Sequence, residues 1–337
     1  MTICELPSAV ALVFPGQGAQ RPGMGRDFYA QFAVSREAFA EASDALGFDV
    51  ARVCFGDDSR LDETEFTQPC IVATEIAMLR ALTAHFGLEA AYFGGHSLGE
   101  YAALCAAGVI SLADAVRLTR RRGALMQTAV PKGEGAMIAV LAEGIGDVDL
   151  QALLSALGVD VANRNSGDQI VISGRASAVA AAASALEQML HGVEHRLVAL
   201  NVSAPFHSRL MRGVEVEFER VLWSAAPAMR PDGASRCTSN VTGRYHESSA
   251  ASIIDALTRQ ISMPVDWVGN MNALCEVAGR IYEIGPSRPL TAFFKSAGRV
   301  VTPIVSVRNA QRELCAAGPS AHREPRSLST QPPAVEL

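Results

Sequence analysis

The strongest constraint on the fold of this chain is the segment FGGHSLGE at residues 93–100. Ser97 lies at the centre of a Gly-x-Ser-x-Gly pattern that follows a short apolar run and precedes an alanine-rich helical pattern. Glycines on both sides of a serine permit a tight turn that a Cβ would obstruct. The segment therefore predicts a strand, a sharp turn and a helix, with the Ser97 hydroxyl presented as a nucleophile. The alternative is that Ser97 only begins the helix.

The composition is typical of a globular enzyme and excludes several other classes. The 337 residues are 49% hydrophobic and 19% charged, and the net charge of −6 argues against a general nucleic-acid binder. No apolar run reaches the roughly 18 residues that a membrane span requires. The seven cysteines are odd in number and lack a CxxC pair, which favours free thiols over a disulfide framework or a zinc site. We expect a cytoplasmic protein without a secretory signal, membrane segment or metal site.

Strand and helix patterns alternate along most of the chain. Residues 10–14 form an apolar strand pattern that ends in a glycine-rich turn, residues 71–86 read as a buried helix, and residues 112–128 as another helix. This alternation predicts a parallel sheet covered by helices. Residues 133–203 instead show the order βαββαβ, which is typical of a small ferredoxin-like unit.

The change of pattern predicts the division of the chain. We expect a large α/β domain at residues 1–132 and 204–308, interrupted by the ferredoxin-like subdomain at 133–203. The stretch 309–337 is rich in Ala, Gly, Ser, Pro and Arg without apolar periodicity, and we expect a mobile tail there.

A nucleophilic serine needs a base, and His207 is the favoured histidine. It lies in the segment SAPFHS at residues 203–208, where a strand pattern meets a proline turn and a helix begins. Rigid scaffolds usually present catalytic groups at such ends of elements. A structural histidine is the alternative interpretation. The other histidines are in a helix, in the elbow itself, beside the inserted helix, in a polar segment or in the tail: His85, His96, His191, His195, His246 and His322.

Five motifs in order resemble the acyltransferase family that moves malonyl and related groups from coenzyme A to acyl carrier protein. The family includes transacylases of fatty-acid synthesis and acyltransferases of polyketide synthases. The matching segments are FPGQGAQ at 14–20, GHSLGE at 95–100, Arg122-Gly123 at 25 residues after Ser97 (122 − 97), PFHS at 205–208 and EIGP at 283–286. The resemblance runs from about residue 10 to residue 307. It implies an α/β-hydrolase-like core with a parallel sheet and an inserted ferredoxin-like α+β subdomain.

The resemblance also implies a role for each matching residue. Ser97 would attack the thioester of malonyl-CoA and His207 would take its proton, with the main-chain carbonyl of Gln260 orienting the imidazole. The backbone N–H groups of Gln17 and Leu98 would hold the oxyanion. The partners implied are malonyl-CoA and an acyl carrier protein, with coenzyme A thioester as substrate and no cofactor.

Two residues are expected to select the acyl group. The guanidinium of Arg122 can hold the free carboxylate of a malonyl group through two parallel hydrogen bonds, whereas an acetyl group has no carboxylate. The alternative is a solvated basic face shared with Arg117, Arg120 and Arg121. Because consecutive helical residues diverge by about 100°, we expect Arg122 to point inward and some of the others outward, where they could favour coenzyme A phosphates or an acidic carrier. The resemblance places Phe206 where polyketide acyltransferases often carry phenylalanine for malonyl. Its ring would crowd an α-methyl branch, and the resemblance therefore favours malonyl and a stand-alone polyketide-type enzyme.

Three alternatives stay open at this point. A serine hydrolase or esterase could unload acyl carrier proteins, but a relative turned to hydrolysis would be expected to lose Arg122. Transfer of a different acyl group is the second alternative. An inactive docking module for carrier proteins is the third, and retention of both Ser97 and His207 argues against it.

Overall fold

The computed structural model describes residues 9–315. The strands in this range are β1 (Ala9–Phe14), β2 (Tyr92–Gly95), β3 (Gly135–Ala142), β4 (Val159–Ser166), β5 (Gln169–Arg175), β6 (His195–Ala199), β7 (Val265–Asp266), β8 (Ala278–Ile284) and β9 (Thr302–Ile304). The α-helices are α1 (Arg26–Gln31), α2 (Ala33–Leu46), α3 (Val50–Phe55), α4 (Thr64–Phe86), α5 (Gly99–Ala106), α6 (Leu112–Thr128), α7 (Gln151–Ala156), α8 (Ala176–Met189), α9 (Arg212–Ala225), α10 (Ala250–Arg259), α11 (Trp267–Val277), α12 (Pro289–Ser296) and α13 (Val307–Ala310).

The larger sheet is parallel and has the strand order β2-β1-β8-β9. Its central strand β1 is apolar and its last four residues are buried, as expected for a strand covered by helices on both faces. In the register of β1 with β2, Phe14 lies opposite Gly95, so the two strands end side by side. The parallel sheet predicted from the alternating pattern is confirmed.

The second sheet is antiparallel over β6-β3-β5-β4 and follows the predicted order βαββαβ. The helices of this unit, α7 and α8, pack on the sheet around a separate apolar core that includes Val140, Ile172 and Leu186. The ferredoxin-like arrangement is therefore confirmed. The boundaries at residues 133 and 203 stay a prediction.

A short strand from outside the insertion joins the edge of the smaller sheet. Strand β7 pairs in parallel with β4, so Asn163 lies opposite Val265 and Arg164 opposite Asp266. This pairing extends the small sheet to five strands and places the segment after α10 against the end of β4. The polar end of β4 is thereby held against the large domain.

Helix α4 begins earlier than the sequence pattern suggested. It runs from Thr64 instead of residue 71 and contains Pro69 within its second turn. Proline removes one helical N–H and so reads as a helix start rather than an interior residue. Burial overrides this signal, because α4 is buried over most of its length and packs between α2 and α6.

The start of the expected tail is helical. Residues 307–310 form α13, and a π-helical turn continues through Gln311–Cys315. The rest of the expected mobile tail at 309–337 lies outside the described residues. Within residues 9–315 no helix is both long and apolar enough to cross a membrane. The six cysteines in this range have free thiols.

Candidate active site

The candidate site lies where β1 and β2 end. The turn after β1 passes against the turn after β2 so closely that a Cβ on Gly16 would come within 2.5 Å of the His96 carbonyl oxygen. Side-chain groups at the carboxyl ends of neighbouring parallel strands share one edge of the sheet. A cavity of about 480 Å³ opens at this edge, and its walls include Ser97, Arg122 and His207.

The turn between β2 and α5 holds Ser97 in a left-handed backbone conformation, with φ of +50°. A Cβ on Gly95 would overlap the backbone of Gly99, so the turn can close only with glycine. The side chain of Asn240 holds both ends of the turn. Its Oδ1 accepts from the Ser97 N–H, and its Nδ2 donates to the Gly95 carbonyl at 2.7 Å. The strained elbow is fixed from a segment 143 residues away.

His207 is within hydrogen-bond distance of the serine. Its Nε2 lies 2.7 Å from the Ser97 Oγ, and its Nδ1 lies 2.8 Å from the main-chain carbonyl oxygen of Gln260. A carbonyl oxygen can only accept, so Nδ1 carries the proton and the Nε2 of the neutral ring is left to accept from the serine hydroxyl. His207 also has a positive φ, +55°, and it shares this property only with Ser97 among the non-glycine residues described. Such strain is typical of functional sites.

Burial and, after it, the charge of Arg122 lower the pKa of His207 from its ordinary value of 6.5 to about 3. The imidazole is 3% exposed. Burial disfavours the charged ring, and a nearby cation disfavours it again. His207 is therefore neutral over the ordinary pH range, which is the state that a general base needs.

Arg122 points into the cavity and is 1% exposed. Its guanidinium donates to the side-chain oxygens of Gln68 at 3.1 Å, Gln260 at 3.0 Å and Ser97 at 3.2 Å. None of these acceptors is a carboxylate, and its Nε has no partner among the described residues. Burial lowers the pKa of Arg122. A buried cation without an anionic partner is costly, which leaves this guanidinium ready to accept a carboxylate.

The neighbouring arginines of α6 point away from the cavity, as expected from the helical geometry. Arg117, Arg120 and Arg121 have side chains 58%, 37% and 48% exposed. Each is paired with an acidic side chain, and Arg121 pairs with Glu217 on α9. The basic run of α6 is thus divided between one buried side chain and three surface ion pairs.

Two backbone N–H groups beside Ser97 have no hydrogen-bond acceptor in the described part of the chain. They belong to Leu98, which precedes α5, and to Gln17, in the turn after β1. The Ser97 N–H is different, because Asn240 already engages it. The Gln17 side chain is held by Thr64 at 3.1 Å and by Gln68 at 3.3 Å, which fixes this turn beside the elbow.

Phe206 is 7% exposed and forms part of the cavity wall directly before His207. Met126, one helical turn after Arg122 on α6, lines the same cavity. The cavity therefore combines a charged group with an apolar wall close to Ser97. All seven residues singled out in the sequence lie around this cavity or contact its lining.

Sequence reasoning missed several polar residues at the site. The Oδ1 of Asn165 on β4 accepts from the His96 Nε2 at 2.8 Å, and burial lowers the pKa of His96. Glu100 and Asn240 lie behind Ser97, and His246, which the sequence placed in a polar segment, is buried against Glu100. Glu100 could have been found from the elbow motif that contains it. Asn240 and His246 carry no such signal, because they lie in a segment without periodicity.

Within residues 9–315 no three His, Cys, Asp or Glu side chains are grouped as ligands of a metal ion would be.

A serine at a strand-to-helix turn, facing a histidine and a buried arginine across one cavity, is the arrangement of an acyl-transfer enzyme. The chain belongs to the acyl transferase domain family, which matches residues 11–276. The resemblance inferred from the five motifs is thereby confirmed.

Individual relatives support the same family assignment. The malonyl CoA-acyl carrier protein transacylase of Bacillus subtilis is 37% identical over 293 residues, covering 85% of this chain and 71% of that protein. The crystal structure of the transacylase from Clostridium perfringens has a TM-score of 0.83 at 34% identity and covers 92% of this chain and 97% of that one. A malonyl transacylase solved in complex with its type II polyketide-synthase acyl carrier protein has a TM-score of 0.82 at 33% identity, covering 92% and 100%.

Proposed function

We propose that this protein transfers a malonyl group from coenzyme A to the phosphopantetheine thiol of an acyl carrier protein through an ester on Ser97. The names of the relatives support this reaction. The observation that carries the proposal is the buried Arg122, which has no carboxylate partner among the described residues and lies 3.2 Å from the Ser97 Oγ. A malonyl thioester supplies the missing carboxylate next to its reactive carbonyl.

In the first half-reaction the Ser97 Oγ attacks the thioester carbonyl carbon while its proton passes to the Nε2 of His207. The negative charge that develops on the carbonyl oxygen is held by the N–H groups of Leu98 and Gln17, which act as the oxyanion hole. The carbon–sulfur bond then breaks, and the coenzyme A thiolate takes the proton from the imidazolium. The Gln260 carbonyl holds the imidazole in the tautomer that both steps require.

In the second half-reaction the phosphopantetheine thiol of the carrier protein occupies the place that coenzyme A left. His207 takes the thiol proton, the sulfur attacks the malonyl ester, and the proton returns to the Ser97 Oγ when the ester bond breaks. The thioester is the only activated compound consumed, so the reaction requires no cofactor. Transfer in place of hydrolysis requires that the thiol reaches the ester before water does.

Arg122 and Phe206 act as the selective residues. The Arg122 fork pairs with the malonyl carboxylate through charge-assisted hydrogen bonds, which hold the acyl group by one end while Ser97 attacks the other. Phe206 closes the wall beside His207 and restricts the space for an α-branch. A stand-alone role in polyketide synthesis fits this wall and the relative solved with a type II polyketide-synthase acyl carrier protein, and a role in fatty-acid synthesis is the alternative pathway.

The proposal is tested by intact-mass analysis after mixing the protein with malonyl-CoA, methylmalonyl-CoA or acetyl-CoA. We expect a malonyl adduct that is absent in Ser97→Ala and that moves to an added holo acyl carrier protein. Release of free malonate without carrier loading would instead favour the acyl hydrolase alternative. Absence of any adduct on the wild-type protein would overturn the proposal.

The role of Arg122 is tested by Arg122→Ala, with Arg121→Ala as a matched control from the next position of the same helix. We expect kcat/KM for malonyl-CoA to fall by about 10- to 100-fold in Arg122→Ala, the loss expected for one or two hydrogen bonds to a charged group. Acetyl loading should be unchanged or higher. The Arg121 variant should behave like the wild type, and equal losses for malonyl and acetyl would mark Arg122 as structural.

A further inference from the structure

The geometry points to His246 as a positioning residue that aligns the nucleophile and its base through the carboxylate of Glu100. Both side chains are 1% exposed, and the His246 Nε2 lies 2.7 Å from the Glu100 Oε1. Neither residue lines the acyl cavity, so neither can touch the substrate there. The inference rests on the proposed roles of Ser97 and His207.

Glu100 connects this pair to the reacting groups. Its second oxygen, Oε2, accepts from the side-chain Nε2 of Gln260 at 2.6 Å and from the backbone N–H of Asn240 at 3.1 Å. With His246, three donors converge on one buried side chain, and a carboxylate is the group that can satisfy all of them as an acceptor. Glu100 also lies in the first turn of α5, where the helix dipole favours negative charge.

Each of the two remaining partners of Glu100 controls one part of the reaction geometry. Asn240 holds the backbone of the elbow at Ser97 and Gly95. Gln260 orients His207 through its main-chain carbonyl. Its side chain also donates to the Ser97 carbonyl at 3.0 Å. The Glu100 carboxylate, on the side of Ser97 away from the cavity, therefore fixes the distance between Ser97 and His207.

The fold explains why His246 is needed to hold this carboxylate. Residues 237–246 form a hairpin-like turn in which the His246 N–H bonds to the Cys237 carbonyl at 2.9 Å and the Ser239 N–H bonds to the Arg244 carbonyl at 2.7 Å. Asn240 lies at the tip of this turn and His246 at its end. Asn240 and His246 bind different oxygens of Glu100, so the turn holds both oxygens of the carboxylate in place. Loss of the His246 donor leaves Oε1 buried without a partner and frees the carboxylate to rotate.

The reaction should be sensitive to this loss, because a misplacement of about 1 Å between reacting groups costs as much as 100-fold in rate. We expect His246→Leu to lower the single-turnover rate constant for acylation of Ser97 by malonyl-CoA by about 10- to 100-fold. The KM for malonyl-CoA should change by less than about threefold, because Arg122 and the cavity wall are intact. His246→Gln, which keeps a donor at similar reach, should recover most of the rate.

A structural role is separated from a positioning role by measuring rate and amplitude on the same reaction. Loss of folded protein lowers the fraction of molecules acylated, whereas misalignment lowers the rate constant of those that react. Thr258→Val is the control for a buried change on the neighbouring helix α10, since the Thr258 hydroxyl is buried without a partner among the described residues. It should acylate at the wild-type rate.

Two results would overturn the inference. One is a wild-type rate constant in His246→Leu, and the other is a His246→Gln variant as slow as His246→Leu. His246→Asn, whose side chain is too short to reach Glu100 from the same backbone position, is the second variant, and it should be slow as well. If the wild-type protein forms no malonyl adduct on Ser97, the proposed function itself has failed, a result distinct from either of these.

Discussion

The charge balance at His207 connects substrate recognition to base catalysis. In the free protein, burial and the Arg122 charge both lower the pKa of the imidazole. The malonyl carboxylate would neutralise Arg122 when it binds, and the Arg122 charge would then lower the pKa of His207 less. The base would therefore become stronger when a carboxylated acyl group is in place.

This balance predicts an unusual pH profile. With an ordinary histidine pKa of 6.5, kcat/KM would fall about 30-fold at pH 5, because the imidazole would be protonated. With a pKa of about 3, kcat/KM of the wild-type protein for malonyl-CoA should stay nearly constant between about pH 8 and pH 5. Arg122→Met removes the cation and should move the acidic limb to higher pH, whereas Arg121→Met should not. An acidic limb near 6.5 in the wild type would contradict the explanation.

At the scale of elements, the site depends on how closely α5 approaches the ends of β1 and β2. A Cβ on Gly99 would overlap the Phe14 carbonyl, and one on Gly95 would overlap the start of α5. These close contacts bring the start of the helix directly beneath Ser97. The positive end of the helix dipole, with the Leu98 N–H that has no acceptor among the described residues, then lies beside Ser97, where negative charge develops.

Gly99→Ala should therefore destabilise the protein by about 3 kcal/mol or more, because rigid backbone must move to admit one methyl group. Gly213→Ala is a matched control near the start of α9, where an added Cβ meets nothing within 4 Å. It should leave stability unchanged or raise it by about 0.4–1 kcal/mol. Urea unfolding of both variants measures the difference, and equal stabilities would refute this account of the elbow.

At the scale of the whole molecule, two buried acids make stability depend on pH. Glu283 at the end of β8 accepts from the backbone N–H groups of Leu290 and Thr291 at 2.9 and 2.7 Å, and so fixes the start of α12. Burial raises its pKa to about 7. Glu75 on α4 is fully buried, its carboxyl oxygens have no partner among the described residues, and burial followed by the charge of Glu283 raises its pKa.

Both shifts have the same sign for folding. When the folded pKa of an acid exceeds its unfolded value, here 4.5, the group does not lower the free energy of unfolding below pH 4.5. Above pH 4.5 the free energy of unfolding falls, until the pH has passed the folded pKa. These two acids should therefore lower the free energy of unfolding as the pH rises from about 4.5 to 8, whereas the lowered pKa of the buried His207 acts in the opposite direction below about pH 6.5, so the contribution of each group is measured with its own variant. Glu75→Gln should raise the free energy of unfolding by about 1 kcal/mol or more at pH 8 and change it little near pH 4.5. Glu187→Gln, on the exposed face of α8, is the control, and a Glu75 variant with wild-type pH dependence would disprove the explanation.

Much of the fold was accessible from the sequence because its signals are local. The helix predicted at 112–128 coincides with α6, and the order βαββαβ was readable because each element carries its own periodicity. The early start of α4 was not predicted: Pro69 is unusual inside a helix, and the burial that holds it there is created only by the neighbouring helices. The candidate residues Ser97, Arg122 and His207 could be named from motif spacing.

The sequence by itself determined the strand–turn–helix around Ser97, the inserted unit and the residue types available for acyl transfer, since each depends on residues close together in the chain. The tertiary structure alone decided that the Ser97 Oγ meets His207 at 2.7 Å, that Arg122 is buried without an anionic partner in the described chain, and that Glu100 joins His246 to Gln260. These contacts join residues more than 100 positions apart. Single polar residues in irregular segments produce no periodic pattern in the sequence, so only the folded structure shows what they contact.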